Sequence, residues 1–86
     1  MKIREARISD AETIARFNMA HAKEGKFMIL KKRDALKGAR AVLKNHNLGF
    51  YLVAEDNSRI VGMLMVTWEW SDWHNRFYWW IGSVYV

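Results

Sequence analysis

The stretch that decides the fold is RIVGMLMVTWEWSDWHNRFYWWIGSVYV, residues 59–86. It contains two long apolar runs, 59–70 and 76–86, which are separated by the turn residues 71–75. Each run is apolar on both faces of a pleated strand, since successive side chains point to opposite faces. Strands of this kind lie in sheets that are covered on both sides. We therefore predict that residues 59–86 form a long antiparallel hairpin at the centre of the fold.

The alternation assigns the side chains of the hairpin to two faces. In the first run, one face carries Ile60, Leu64, Val66 and Trp68, and the opposite face carries Val61, Met63 and Met65. The second run groups Phe77, Trp79, Ile81 and Tyr85 against Tyr78, Trp80, Val84 and Val86. No turn, charge or proline follows the second run, and an unpaired apolar edge invites pairing with another chain. We expect a homodimer, or a complementing carboxy-terminal half, that pairs through this strand and buries Trp79, Trp80 and Tyr85.

Length and composition limit the class of protein. A chain of 86 residues forms one small domain, and 51% hydrophobic residues exclude disorder. There is no cysteine, and no apolar run is long enough to cross a bilayer. We therefore expect a cytoplasmic protein without a membrane partner. The net charge of +5 allows an acidic partner.

The first part of the chain predicts a short strand followed by a helix. Residues 2–7 alternate and are charged, as is typical of an edge strand. Ser9 and Glu12 have the spacing of a capping box, so we expect a helix from Ala11 to Glu24 that stops at Gly25.

Two polar side chains, Asn18 and His21, lie on or beside the apolar stripe of this helix. They could line a substrate pocket, or they could be rim residues that backbone and water satisfy.

A second helix is predicted over residues 34–44, with Leu36, Ala39 and Leu43 buried. A basic face is formed by Arg33, Lys37, Arg40 and Lys44. Such a face can hold phosphates, but no aromatic side chains are interleaved with it. We favour a solvated surface and expect no nucleic-acid partner.

Residues 48–55 alternate as a further strand, and the turn 56–58 connects them to the hairpin. The predicted order is therefore β-α-α-β-β-β, an α/β (α+β) fold with a mostly antiparallel sheet.

The chemistry that the residues allow is narrow. The five glycines are scattered singly, and the three histidines lack the spacing of a metal site, so we expect no metal. The strongest candidate is Glu69, which lies between Trp68 and Trp70. A carboxylate desolvated among indoles would have a raised pKa and could act as a general base. The alternative is that Glu69 is solvated and that Asp72 only caps the turn.

The sequence resembles the amino-terminal half of GNAT-family (Gcn5-related) N-acetyltransferases. The matching segments are the opening 3–6 (IREA), the helix start 9–14 (SDAETI), the hairpin 49–62 (GFYLVAEDNSRIVG) and the terminal run 80–86 (WIGSVYV). Together they cover essentially the whole chain, which makes residues 1–86 a single partial GNAT domain on the acceptor-substrate side. The resemblance implies transfer of an acetyl group from acetyl-CoA to an amine.

The resemblance also implies roles for particular residues. In that family the fourth strand offers backbone groups to the cofactor, which here would be Val84, Tyr85 and Val86. The first helix and the Trp-rich loop shape the acceptor pocket, which points to Asn18, His21, Trp70, Asp72 and Trp73 for substrate binding and to Glu69 as a possible base.

The Arg/Gln-x-x-Gly-x-Gly/Ala signature that holds the cofactor pyrophosphate is absent from the chain. We therefore expect weak or no acetyl-CoA binding by this chain alone, and activity only with a partner. The alternative is a non-catalytic module that binds a partner through its aromatic sheet edge or its basic helix.

Overall fold

The computed structural model describes residues 1–86. In chain order, the elements are β1 (Lys2–Glu5), a 3-10 turn (Ile8–Asp10), α1 (Ala11–Glu24), α2 (Lys32–Lys44), β2 (Phe50–Asp56), β3 (Arg59–Ser71) and β4 (Arg76–Tyr85). The strands form one sheet in the order β1-β2-β3-β4, and each neighbouring pair is antiparallel. The predicted fold class and element order are therefore confirmed. Neither helix has the length and hydropathy needed to span a membrane.

Both helices pack on one face of the sheet, and the core lies between them and the central strands. The residues of this core are Ile14, Ala39, Val42, Tyr51, Val53 and Met63. The alternation of β2 directs Tyr51 and Val53 toward the helices, and their exposed fractions are only 3% and 1%. Alanines on the helix side let the helices lie close to the sheet.

The start of α1 is held by Asp10 rather than by the predicted capping box of Ser9 and Glu12. The Asp10 carboxylate accepts the backbone N–H of Arg7 at 2.8 Å and the guanidinium of Arg4 at 2.8 and 3.2 Å. Asp10 is buried, and the Arg4 bond holds the pKa of its carboxyl below the usual range. This ion pair ties β1 to the start of the first helix.

Helix α2 begins two residues earlier than predicted, at Lys32. Its buried positions are Ala35, Ala39 and Val42, whereas Leu36 and Leu43 are only half-buried. The predicted stripe was therefore wrong by one residue at each end, because small side chains allow the closest approach to the sheet. The four basic residues of the predicted face are all exposed and form no ion pair.

An extra residue in β3 changes the face that one predicted core residue occupies. Ala54 of β2 pairs with Gly62 of β3, whereas the next residue of β2, Glu55, pairs with Ile60. Val61 is therefore left without a partner and forms a bulge. Ile60 consequently packs against the helix-side core. Its predicted place on the same face as Leu64 is wrong, because a bulge reverses the alternation beyond it.

No helix covers the other face of the sheet, which we call the open face. Its large side chains include Ile3, Phe50, Leu64, Trp68, Trp70, Phe77, Trp79 and Ile81. The rings of Phe50, Trp68 and Trp79 form a cluster with centroids 5.9–6.2 Å apart. Trp79 and Ile81 are nevertheless each 67% exposed. The prediction that both faces of the hairpin are apolar holds, but this chain covers only one of them.

Candidate functional site

A cleft of about 500 Å³ lies between α1, α2 and the centre of the sheet. We call it the inner cleft. Its polar lining residues are Asn18, His21, Asp34, Tyr51 and Ser83, and its apolar walls include Phe27, Met28, Leu30, Val42 and Met65. The inner cleft is therefore a concave apolar site with a few convergent polar groups, as small-molecule sites usually are.

Helix α1 brings Asn18 and His21 into the inner cleft. They follow Ile14 at spacings of four and seven residues, so they continue the buried stripe past the end of the core. Both side chains are half-buried. Both residues line the inner cleft, and their role in substrate binding stays a prediction.

Tyr51 lies at the floor of the inner cleft. Burial raises the pKa of its hydroxyl, and the Asn18 side chain partly offsets that shift. The phenol therefore stays neutral at physiological pH, when it can donate one hydrogen bond and accept another. The sequence analysis did not identify Tyr51 as a site residue.

Tyr85 joins β4 to the end of α1 beside the inner cleft. Its hydroxyl donates a hydrogen bond to the carboxylate of Glu24, and this bond is the main cause of the raised pKa of Tyr85. The Tyr85 ring lies 5.4 Å from that of Phe17 and 5.9 Å from that of His21, between centroids. The His21 ring also meets Phe27 edge-on, at 5.8 Å.

A bulge in β4 explains why Tyr85 faces the helices. Met65 of β3 pairs with Gly82 of β4, and Met63 pairs with Tyr85, so β4 has one more residue than β3 between the two pairs. Within this bulge, Ser83 has a left-handed φ of 47°. The prediction that Tyr85 shares a face with Trp79 is therefore wrong. The Gly82–Ser83 pair within an apolar run was the sequence signal for this bulge.

The bulge lies on the free edge of the sheet. Strand β4 has only β3 as a neighbour, so the backbone groups on its outer side have no strand partner. Val84 and Val86, which the family resemblance assigned to cofactor binding, follow the bulge and are exposed. Backbone donors and acceptors are thus available beside Ser83, at the wall of the inner cleft.

The Trp-rich hairpin lies away from the inner cleft. Glu69 is exposed, and alternation directs Trp68 and Trp70 to the face opposite its carboxylate. The expected enclosure of Glu69 by indoles is therefore absent. Glu69 is four residues from Met65, or about 13 Å along the strand. Asp72 and Trp73 lie in the exposed hairpin turn, so the structure brings Asn18, His21 and Tyr85 together but not these residues.

Comparison with known proteins gives matches among solved structures only. No protein-family model matches the chain, and no curated protein matches it significantly. The chain is similar to a possible acetyltransferase from Clostridium difficile 630, with 44% sequence identity and a TM-score of 0.93, over 99% of this chain and 56% of that chain.

Two more distant structures share the fold. One is an integron cassette protein from the mobile metagenome of Cole Harbour Salt Marsh, with 20% identity and a TM-score of 0.88 over 98% of this chain and 55% of that chain. The other is a probable acetyltransferase, with 17% identity and a TM-score of 0.83 over 100% of this chain and 57% of that chain. The chain spans little more than half the length of the structures it matches. The resemblance to an acetyltransferase, expected from the sequence, is confirmed.

Proposed function

We propose that this chain forms the acceptor side of an enzyme that transfers an acetyl group from acetyl-CoA to an amine. The observation that carries the proposal is the position of the β4 bulge, where the free edge of the sheet borders the polar end of the inner cleft. The similarity to a possible acetyltransferase also supports a function in acetyl transfer. The amine would enter through the inner cleft, and the acetyl donor would lie along the β4 edge.

Bound acetyl-CoA would supply an activated thioester carbonyl for attack by the amine nitrogen. The residues of this chain would orient the two reactants. Backbone groups of Val84, Tyr85 and Val86 would hold the acetyl end against the β4 edge. A new C–N bond forms as the C–S bond breaks, and the nitrogen must lose a proton.

Two residues are candidates for accepting that proton. His21 lines the inner cleft, and its ring nitrogens have no hydrogen-bond partner in the chain. In its neutral form an imidazole ring has one nitrogen that carries no hydrogen, and that nitrogen can accept a proton. Glu69 remains the candidate that the family resemblance suggested, although it lies farther along the hairpin. His21 has the better position, because a base must reach the reacting nitrogen directly or through one water.

The fit of this chain to acetyl-CoA is partial. The β4 edge suits the acetyl and pantetheine part, since it offers unpaired backbone groups next to a cleft. The pyrophosphate needs amides at a glycine-rich helix start, and the glycines here lie singly at positions 25, 38, 49, 62 and 82. We propose that activity requires a partner that contributes these amides and that the 86-residue chain is inactive alone.

The test is complementation. The chain is mixed with, or fused to, the part of the Clostridium difficile relative that it does not match. Release of free thiol from acetyl-CoA is then measured across a panel of primary amines. We expect amine-dependent release by the complemented protein and none by either part alone. Absence of release with every amine, from a complex shown to be folded and to bind acetyl-CoA, would refute the proposal.

A non-catalytic interaction module is the second candidate, and the open face favours it. Exposed apolar area on this scale is typical of surfaces that bind a partner. In that case acetyl-CoA would not raise the melting temperature of the complemented protein, because it would not bind the native state. A melting temperature that rises with acetyl-CoA concentration favours the enzyme.

A further inference from the structure

A second cavity lies on the outer side of α1, separate from the polar end of the inner cleft. Its volume is about 610 Å³. We call it the outer cavity. It is lined mainly by Met19, Lys23, Lys26, Met28, Ile29 and Leu30. The first two belong to α1, where Met19 is half-buried and Lys23 is exposed, and the rest belong to the connector between the helices.

The outer cavity combines apolar walls with two unpaired positive charges. Neither Lys23 nor Lys26 forms an ion pair, and no carboxylate lines the cavity. The nearest acidic residue in sequence, Glu24, is engaged by the Tyr85 hydroxyl. Met28 and Ile29 are 59% and 91% exposed, although methionine and isoleucine side chains are normally buried. A ligand that matches these walls has a linear apolar body and one anionic head.

The backbone at the end of α1 fixes where the Lys26 side chain begins. Helix α1 ends in a Schellman motif, in which Phe27 N–H donates to the Ala22 carbonyl at 3.1 Å and Lys26 N–H donates to the Lys23 carbonyl at 3.2 Å. Lys26 occupies the left-handed position of this motif, with φ of 56°. Glycine is the usual residue there, since a side chain crowds the following carbonyl oxygen.

Glycine is present one residue earlier, where it serves another purpose. Gly25 has the helical φ of −78°, and a methyl group there would overlap the Phe27 ring. The strained position is therefore held by a lysine although a glycine would relieve it. Non-glycine residues in strained conformations cluster at binding sites. The helix dipole favours a cation at both positions, since Lys23 and Lys26 both lie near the carboxy-terminal end of α1.

We propose that the outer cavity binds an amphipathic anion, namely a free medium-chain carboxylate whose head lies between Lys23 and Lys26. The alkyl chain would lie against Met19, Met28 and Ile29. A free molecule suits the cavity better than a lipid surface, because a flat bilayer cannot fill a concave site. Met28 and Leu30 also line the inner cleft, so a bound chain would brace the wall that the two cavities share.

The test uses octanoate as the probe and octanol as its uncharged counterpart. Each is titrated into the 15N-labelled chain at low salt. We expect octanoate to shift the backbone amides of residues 19–23 and 26–30 and to bind at least about threefold more tightly than octanol, as a partly exposed ion pair allows. Equal affinity for the two probes, shifts confined to the open face, or binding only to phosphatidylglycerol vesicles would overturn the proposal.

The variant Lys26→Gly separates ligand binding from folding. It should raise the melting temperature, because glycine relieves the left-handed backbone, and it should weaken octanoate binding by roughly three- to fivefold. The matched control is Lys44→Gln, which removes another exposed and unpaired charge far from the cavity and should leave the affinity unchanged. A stabilised Lys26→Gly variant that binds octanoate as tightly as the parent chain would show that the ammonium has no part in binding.

Discussion

At the scale of single residues, the Arg4–Asp10 pair is the most buried ion pair in the chain. Two guanidinium bonds and one backbone N–H converge on a carboxylate whose side chain is only 10% exposed. The pKa of Asp10 is lowered, first by the Arg4 bond, so the charged form is favoured in the folded state. The interaction therefore stabilises the fold above the unfolded pKa of about 3.9 and is lost as the pH falls through the lower folded value.

The variant Arg4→Met should lower the free energy of unfolding by about 2–4 kcal/mol at pH 7, because it leaves a buried carboxylate without its partner. The difference from the parent chain should shrink as the pH falls below about 3.9 and should be lost only below the lower folded pKa of Asp10. Urea denaturation at pH 7 and pH 3 measures both effects. Glu55→Gln, which removes the longer 3.4 Å contact to Arg4, should cost under about 1 kcal/mol. An equal cost for the two variants would contradict the assignment.

The candidate bases can also be compared residue by residue in the complemented enzyme. If His21 accepts the proton, His21→Gln should reduce turnover by roughly a hundredfold or more, and Glu69→Gln should leave it nearly unchanged. The reverse pattern would restore Glu69 as the base. Turnover is measured by thiol release at saturating acetyl-CoA, and unchanged circular dichroism confirms that each variant is folded.

At the scale of elements, the periodicity of apolar residues predicted the regular helices and strands. Helix α1 was predicted with the observed bounds, Ala11–Glu24, because its stripe and its stop signal agree. The errors fall where one extra residue interrupts a strand. The bulges at Val61 and Ser83 place Ile60 and Tyr85 on the helix side of the sheet. The alternation of apolar residues alone does not show where an extra residue interrupts a strand.

The inner cleft was predicted only in part for a related reason. Asn18 and His21 were found because they lie on a helical stripe. Tyr51 and Ser83 were missed because their roles depend on where α2 and the β4 bulge meet, which is a tertiary feature. The Trp-rich loop drew attention through its composition, although its indoles and the Glu69 carboxylate lie on opposite faces.

The β4 bulge can be tested through its left-handed residue. Ser83→Gly should raise the free energy of unfolding by about 0.4–1 kcal/mol, whereas Ser83→Val should lower it by about 1–2 kcal/mol. Gly82→Ala is the control, since an added methyl group meets nothing within 4 Å. Urea midpoints give the order. A valine that is tolerated as well as glycine would mean that Ser83 is not left-handed in solution.

At the scale of the whole molecule, the helices cover only one face of the sheet, and the open face is left exposed. Two helices cover one side of the sheet, while Trp79, Ile81 and Phe77 on the other side are each more than half exposed. Full burial of such side chains is worth roughly 1.5–3 kcal/mol each. A small domain has only about 5–15 kcal/mol of stability in total. Covering the open face would therefore add substantially to the free energy of unfolding of this chain.

We propose that a second copy of the chain covers the open face when no complementing partner is present. Two-fold symmetry would bring each apolar patch against its own mate, which is the simplest arrangement for one self-complementary surface. The sequence assigned both Trp79 and Trp80 to the interface. Pairing of β3 with β4 puts Trp79 opposite Trp68, on the open face, and directs the neighbouring Trp80 to the helix side. Only Trp79 is then central to a face-to-face dimer.

Sedimentation velocity at micromolar concentration should therefore show a dimer. Trp79→Asp should give a monomer, because a carboxylate buried against an apolar mate would lack any partner. Trp80→Asp should leave the dimer intact, since Trp80 is also more than half exposed but lies on the other face. If Trp80→Asp is the variant that dissociates, the copies join along the β4 edge rather than through the open face. A parent chain that stays monomeric at high concentration would exclude both arrangements.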